Sequence, residues 1–312
     1  MQIFSAEQTR NMLPFDRLID ALREMFVTGA EAPLRHHHTM PLEGQPDATL
    51  LLMPAWNPKG LGGVKVVNVN PGNASRGKPA LSSAYMLFDA ETGRHLALLD
   101  GGEITNRRTV AASALAADYL ARKDSRTLLI VGAGRVASNL AYAFRAVRKI
   151  DDVIVWDVVP EMAERLVAKL ADDGFSASRA SDLRAAVEAA DIISCATLAT
   201  EPLVLGEWLK PGQHLDLIGS FTPKMRETDD TAMQRASVFI DTDGAFKESG
   251  DIILPIQSGA LSREAVRGDL FDLCRGKVGG RASPEEITLF KGVGTALEDL
   301  AAATLAYSSS QH

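Results

Sequence analysis

A short apolar strand, a glycine-rich turn and a helix follow one another near the middle of the chain. Residues Thr127–Val131 are apolar or β-branched, the sequence Gly-Ala-Gly-Arg-Val-Ala occupies positions 132–137, and helical spacing begins there. At such a turn the amide N–H groups and the positive helix end can bind a pyrophosphate. The alternative is a glycine turn of an α/β sheet that binds nothing. The pattern predicts a Rossmann turn that contacts a dinucleotide through Gly132, Gly134, Arg135, Val136 and Ala137.

Strands and helices alternate throughout the second half of the chain. We predict strands at Thr127–Val131, Val153–Trp156, Ile192–Cys195, His214–Ile218 and Val238–Asp241. Helices are predicted between them at residues 136–148, 161–172, 181–190 and 224–235. Such alternation with short loops requires a parallel sheet covered by helices on both faces. The second half is therefore expected to be a doubly wound α/β Rossmann domain.

Polar residues follow several of these strands. Asp157 ends the second strand, where a carboxylate accepts hydrogen bonds from the adenosine ribose and repels a 2′-phosphate, so NAD is favoured over NADP. Thr197, Gly219 and Ser220 end later strands and are expected at the same crevice. Short polar residues also simply terminate strands, which is the alternative for these three.

The first half of the chain has a different pattern, with helices followed by short strands. Ser5 and Gln8 form a capping box before an N-terminal helical segment, and an Ala-rich helix is predicted at residues 105–122. A helix over 294–307 is expected to pack back on this half. We predict an α+β domain of residues 1–122 with 295–312, and a Rossmann domain of residues 123–294. The strands predicted in the first half are Thr49–Met53, Val64–Val69, Ser83–Phe88 and His95–Leu99.

Composition excludes several classes of protein. The net charge is −7 and the pI about 5.5, so nucleic acid and anionic lipid are not expected partners. There are two cysteines and no apolar run near the roughly 18 residues of a membrane span, which favours a cytoplasmic protein. The run His36-His37-His38 lacks a carboxylate or thiol that would complete a metal site, so none is predicted. The histidines could instead line the active site or lie exposed on the surface.

At this point the sequence resembles the ornithine cyclodeaminase/mu-crystallin family over nearly its whole length. The resemblance implies a homodimer formed through the N-terminal sheets, NAD as cofactor, and an active site between the two domains. The segments that carry it are 63–67 (Gly-Val-Lys-Val-Val), 71–73 (Pro-Gly-Asn), 87–93 (Leu-Phe-Asp-Ala-Glu-Thr-Gly), Arg108-Thr109, the glycine turn, and 283–291 (Ser-Pro-Glu-Glu-Ile-Thr-Leu-Phe-Lys).

The resemblance also implies a clamp for a substrate carboxylate, formed by Arg35, Lys65 and Arg108. An Arg fork binds a planar carboxylate with two hydrogen bonds and an ammonium adds a point charge, which suits an α-amino or α-imino acid. Lys65 is a charge within an apolar strand, and the alternative is a lysine at a sheet edge. Arg107 is adjacent to Arg108, and the match to the family's Arg-Thr pair selects Arg108.

Two positions depart from the family pattern of true cyclodeaminases, which carry carboxylates there. Leu51 and Phe221 occupy these positions of the substrate pocket. A cyclodeaminase needs carboxylates to bind and deprotonate the second ammonium of ornithine, and apolar side chains cannot do so. We therefore predict an NAD-dependent oxidoreductase that transfers hydride at the α-carbon of a small α-imino or α-amino acid, as a ketimine reductase or amino-acid dehydrogenase does.

Several points stay open at the level of sequence. Ornithine cyclodeaminase and a cofactor-binding protein of mu-crystallin type are the alternative functions. Lys65 or a water molecule could transfer the proton. Lys291 matches the family segment that passes the nicotinamide, and a solvated lysine at a helix end is the alternative.

Overall fold

The computed structural model describes residues 1–311 and divides the chain into two compact units. Unit 1 comprises Met1–Arg108 and Thr295–His312, and unit 2 comprises Thr109–Gly294. The division falls inside a long helix, upstream of residue 122, where the sequence analysis placed the boundary. The helix runs from Gly101 to Leu120 without a break at Arg108, and its second half is rich in alanine, the best helix former.

Unit 1 contains a six-stranded sheet, two helices near the N-terminus, the first part of a helix that continues into unit 2, and a helix from the C-terminal segment. Its strands are β1 (Gln2–Ile3), β2 (His36–Met40), β3 (Ala48–Trp56), β4 (Leu61–Val69), β5 (Leu81–Asp89) and β6 (His95–Asp100). Its helices are α1 (Ala6–Asn11), α2 (Phe15–Thr28), the first part of α3 (Gly101–Leu120), and α11 (Ala296–Ser309). The sheet order is β1-β6-β5-β4-β3-β2, with only the β1–β6 pair parallel.

Local sequence explains the start of unit 1, and packing explains the position of its last helix. Ser5 accepts from the Gln8 amide and the Gln8 side chain accepts from the Ser5 amide, which is the predicted capping box. Helix α11 packs against α2 and against strands β3, β4 and β5. The C-terminal helix therefore covers the middle of the unit 1 sheet, as the sequence analysis expected.

Unit 2 contains seven strands and the helices that connect them. The strands are β7 (Thr127–Val131), β8 (Asp152–Trp156), β9 (Ser176–Arg179), β10 (Ile192–Cys195), β11 (His214–Leu217), β12 (Ser237–Ile240) and β13 (Thr288–Lys291). The helices are α4 (Leu140–Val147), α5 (Pro160–Asp172), α6 (Leu183–Ala189), α7 (Asp230–Arg235), α8 (Ala245–Glu248), α9 (Gly250–Ser258) and α10 (Leu270–Cys274).

The unit 2 sheet is parallel throughout, in the order β12-β13-β11-β10-β7-β8-β9. The strand order reverses between β7 and β10, which is the point where a doubly wound sheet binds its ligand. The prediction of a doubly wound α/β sheet beside an α+β unit is confirmed. No helix within residues 1–311 is long and apolar enough to cross a membrane.

The sequence analysis missed two strands of unit 2 and started one helix too early. Strand β13 lies between β11 and β12 and was missed because its place in the sheet depends on pairing with strands that are distant in the sequence. The helix predicted over 224–235 begins only at Asp230, since the preceding residues bond to buried side chains instead of to one another. The short strand β9 was also missed, being polar and at the sheet edge.

Candidate active site

Lys65 lies on the covered face of the unit 1 sheet. It pairs with Met53 of β3 on one side and Tyr85 of β5 on the other. Directly opposed residues share a face, and all three are buried, with Lys65 only 2% exposed. Because β4 is an interior strand, the alternative of a lysine at a sheet edge is wrong.

The Lys65 ammonium forms a buried ion pair with a carboxylate of the C-terminal helix. Its Nζ lies 2.8 Å from Oδ1 and 2.7 Å from Oδ2 of Asp299, and donates to Thr105 Oγ1 at 3.2 Å. The Lys65 side chain is only 3% exposed and that of Asp299 is completely buried. A buried charge must be paired, and Asp299 supplies that pairing.

Arg108 reaches the same carboxylate from α3. Its Nε donates to Asp299 at 2.9 Å and its Nη1 to Glu298 at 2.7 Å, whereas Nη2 donates to none of residues 1–311. The neighbouring Arg107 instead donates to the carbonyl of Leu13 and lies over the ring of Phe15. Arg108, and not Arg107, therefore shares a carboxylate with Lys65.

Burial sets the protonation of Lys65, and the neighbouring charges adjust it. Burial lowers the pKa of Lys65 to about 8, Asp299 opposes the shift, and Arg108 and Arg35 add to it. Desolvation is thus the main cause of the lowered pKa, and the neighbouring cations contribute less. Arg35 is half-buried just before β2, near enough for its charge to act on Lys65.

The apolar positions differ in their surroundings. Leu51 is half-buried on β3, two residues before Met53, so it faces the same side of the sheet as Lys65. Phe221 follows β11 in unit 2 and is 50% exposed.

The three histidines lie on the edge strand β2 and are exposed. His36 and His38 share a face of that strand, with their ring centroids 6.4 Å apart.

The glycine turn has the features a dinucleotide requires. Gly132 has φ of 99°, and a Cβ there would lie 2.8 Å from the carbonyl oxygen of Ala196, after β10. A Cβ on Gly134 would meet nothing within 4 Å, so open space lies over the turn. Arg135 is exposed, Val136 half-buried and Ala137 buried, and a short 3-10 turn at Ala137–Asn139 leads into α4. This cradle fits a pyrophosphate.

Asp157 ends β8 beside the same turn. Its Oδ2 accepts from the Ala133 amide at 2.7 Å, and its Oδ1 accepts from the Val159 amide at 2.8 Å. A carboxylate oxygen has two acceptor positions, so both oxygens can still bind ribose hydroxyls. Asp157 thus shapes the turn as well as presenting a negative charge next to it.

A buried glutamate holds the ends of β10 and β11 together. Glu227 Oε1 accepts from the Thr197 amide and hydroxyl, both at 2.8 Å, and Oε2 accepts from the Gly219 amide at 2.7 Å. Ser220 is fully buried, and its hydroxyl bonds to the Met225 carbonyl and to Ser249. Of these strand-end residues, Thr197 and Gly219 are fixed by Glu227, while the Ser220 side chain points inward.

Lys291 is the cation next to this glutamate. It lies at the end of β13 with 0% exposure, donates to the Leu217 carbonyl at 3.1 Å, and has Asp251 Oδ2 at 3.7 Å. The alternative of a solvated lysine is therefore wrong. Asp251 Oδ1 accepts from the Glu227 amide, so the lysine and both carboxylates form one buried cluster.

Two functional carboxylates escaped the sequence analysis. Asp299 and Glu227 stand in unremarkable polar contexts, Leu-Glu-Asp-Leu and Arg-Glu-Thr, with no motif around them. The only available signal for Asp299 was a pair of acids in the first turn of an otherwise apolar helix. Within residues 1–311, no three His, Cys, Asp or Glu side chains are grouped to hold a metal ion.

The doubly wound sheet, its glycine turn and the separate cation-bearing sheet define a protein of the dinucleotide-binding Rossmann class with an attached α+β unit. Within that class, the chain belongs to the ornithine cyclodeaminase/mu-crystallin family, whose pattern matches residues 2–312. The resemblance seen in the sequence is thereby confirmed.

Three relatives are similar over most of their length. A Δ1-pyrroline-2-carboxylate reductase of Paracoccus denitrificans is 44% identical over 293 residues, covering 90% of this chain and 92% of that protein. The structure of the Thermococcus litoralis Δ1-pyrroline-2-carboxylate reductase with NADH and L-proline is 33% identical, with a TM-score of 0.93 and coverage of 100% and 98%. An archaeal alanine dehydrogenase dimer with bound NAD is 31% identical, with a TM-score of 0.91 and coverage of 100% and 96%.

Proposed function

We propose that this chain is an NADH-dependent reductase of a small cyclic α-imino acid, with Δ1-pyrroline-2-carboxylate as substrate and L-proline as product. The observation that carries the proposal is the pair Lys65 and Arg108, two buried cations fixed by one carboxylate. The names of the Paracoccus and Thermococcus relatives support the choice of substrate within the imino acids.

The substrate carboxylate is held by the donors that the protein leaves available. Arg108 uses Nε and Nη1 on Asp299 and Glu298, and its Nη2 donates to none of residues 1–311. The Lys65 ammonium has three protons, of which Asp299 and Thr105 accept two. The whole Nη2 group of Arg108 is therefore left to donate to a carboxylate, the charges of Lys65 and Arg35 add to the attraction, and one Lys65 proton stays available.

The apolar positions restrict the rest of the substrate. Leu51 and Phe221 offer no acceptor for a second ammonium, so a diamino acid would lose hydration there without gaining a partner. A cyclic or aliphatic side chain has no such cost. This difference favours imine reduction over ornithine cyclisation.

The glycine turn, Asp157 and the ends of β10 and β11 would hold the cofactor. When bound, NADH supplies the hydride for the α-carbon. Gly134 leaves room for the pyrophosphate and Asp157 favours the unphosphorylated ribose of NAD over that of NADP. Thr197 and Gly219, fixed by Glu227, would border the nicotinamide half.

Lys65 is the proposed proton donor to the imine nitrogen. With a pKa of about 8 it is mostly an ammonium at neutral pH and yet gives up a proton more readily than a solvent-exposed lysine. Lys65 is then both one of the charges that bind the substrate carboxylate and the donor of the proton, which fixes the orientation of the imine.

Assembly and compartment follow from the relatives and the composition. We propose a homodimer, because the archaeal alanine dehydrogenase relative is a dimer. We also propose a cytoplasmic location, because the sequence has only two cysteines, too few for a disulfide framework.

The proposal is tested by following NADH oxidation with Δ1-pyrroline-2-carboxylate, beside an assay of ammonia release from L-ornithine. We expect the first reaction and not the second. Lys65→Met should reduce the imine reaction at least 100-fold, a typical contribution of a positioned acid. Lys59→Met removes an exposed lysine of the same unit and should leave the rate unchanged. Ammonia release from ornithine without net NADH consumption would show that the chain is a cyclodeaminase.

A further inference from the structure

Asp299 contacts two of the three cations of the proposed clamp, Lys65 and Arg108. Its two oxygens lie 2.8 and 2.7 Å from Lys65 Nζ, and its Oδ1 also accepts from Arg108 Nε at 2.9 Å. Asp299 is completely buried. It comes from α11, at the opposite end of the chain from β4, and α11 packs directly on that strand.

Charged and titratable groups face Lys65 from every element around it. Asp299 approaches from α11, Arg108 from α3, and Arg35 from the segment before β2. Tyr85 lies opposite on β5, and burial raises its pKa well above the ordinary value, so it stays neutral. The neighbouring Glu298 accepts from Arg108 Nη1 at 2.7 Å. Asp299 is thus the carboxylate in direct contact with the ammonium.

We infer that Asp299 is a positioning residue of this site, which holds the Lys65 ammonium in place and keeps it charged until its proton is transferred. The inference rests on the proposed function, since it concerns the proton step of imine reduction. Arg108 gains a fixed orientation from the same carboxylate.

One turnover transfers one hydride and one proton to the imine. Hydride adds to the imine carbon, the π electrons of the C=N bond move to nitrogen, and nitrogen forms an N–H bond with a proton of the Lys65 ammonium. Lys65 is left as a neutral amine and takes a proton back from solvent. Burial raises the pKa of Asp299, but the charges of Lys65 and Arg108 outweigh it and hold that pKa below the ordinary value; Arg108 stays charged beside Asp299 after Lys65 has given up its proton.

Removing the Asp299 charge has a defined effect on pH dependence. Burial, Arg108 and Arg35 all lower the pKa of Lys65, and Asp299 is the group that opposes them. Without it the ammonium loses its proton at lower pH. Imine reduction, which needs the ammonium, then declines at lower pH, and proline oxidation, which needs the neutral amine, begins at lower pH.

The experiment measures kcat against pH in both directions for the wild type, Asp299→Asn and Glu298→Gln. We expect the alkaline decline of reduction and the rise of oxidation to move together, by about one pH unit or more, in Asp299→Asn. Glu298→Gln removes the adjacent charge, which contacts Arg108 and not Lys65. It should raise KM and leave both pH transitions, or limbs, of the kcat profiles nearly unchanged.

Asp299→Glu tests the inference if Asp299→Asn does not fold. It retains the charge on a longer side chain, so kcat should fall while both limbs stay at their wild-type pH. Unmoved limbs in a folded Asp299→Asn, or displaced limbs in Asp299→Glu, would overturn the inference. A wild-type protein that does not reduce the imine overturns the proposed function, whereas an active wild type with unmoved limbs overturns the inference alone.

Discussion

The Glu227 carboxylate lies 2.7 Å from the amide nitrogen of Gly219 and accepts two further hydrogen bonds from Thr197. It thereby fixes the ends of two neighbouring strands from the interior of unit 2. Burial raises its pKa to about 7 and Lys291 opposes that rise, so the carboxyl is mainly ionised at pH 8.

Glu227→Gln should weaken NADH binding at pH 8. The amide can accept at one strand end only, because its NH₂ group faces an N–H donor at the other. A loss of about 1–2 kcal/mol corresponds to a dissociation constant about 5- to 30-fold higher, measured by NADH fluorescence titration. The exposed Glu201→Gln is the control and should bind normally. Wild-type affinity in Glu227→Gln would mean that these strand ends do not shape the cofactor site.

The two glycines of the turn should fail in different ways when replaced by alanine. Gly132→Ala places a methyl group on a residue with φ of 99° and only 2.8 Å from the Ala196 carbonyl. We expect it to lower the free energy of unfolding by about 1–3 kcal/mol. Gly134→Ala meets no atom within 4 Å and should retain wild-type stability.

Cofactor binding separates the two glycines further. The Gly134 methyl group would fill the space where a pyrophosphate approaches, so NADH should bind about tenfold more weakly or worse, a change of about 1.4 kcal/mol. Chemical denaturation and NADH titration on both variants check this pair of outcomes. Normal NADH binding by Gly134→Ala would mean that the phosphates lie elsewhere.

His214 should make unit 2 sensitive to acid. Burial, with help from Arg281 and Arg148, lowers its pKa from 6.5 to about 3, and its Nδ1 lies 2.9 Å from Thr288 Oγ1. Between these two pH values the unfolded chain binds a proton that the folded chain does not. Stability therefore falls with decreasing pH through this window, by up to about 1.4 kcal/mol per pH unit.

His214→Asn isolates this effect. Denaturation at pH 7.5 and pH 5 should show about 2 kcal/mol less acid destabilisation in the variant than in the wild type. The exposed His95→Asn serves as the matched control and should behave like the wild type. Equal acid destabilisation in all three proteins would show that His214 is not the group responsible.

Short-range patterns in the sequence were sufficient for much of the fold. The bounds of β7 and β10 agree with their apolar runs, and the capping box at Ser5 forms as expected. These features depend on interactions between residues a few positions apart, which a sequence displays directly. Strand β13 was missed because its place in the sheet depends on pairing with two distant strands.

The sequence by itself determined that the chain has a Rossmann turn, a second cation-bearing unit and a family pattern that names Arg35, Lys65 and Arg108. Only the tertiary structure decided that Arg108 rather than Arg107 shares a carboxylate with Lys65, and that this carboxylate is Asp299. Lys65 and Asp299 are 234 positions apart, and their pairing exists because α11 packs on the sheet that contains β4. The two acids at the start of α11 look in the sequence like a favourable helix start, whereas the partner of Asp299 is fixed by packing and by the cost of leaving a buried charge unpaired.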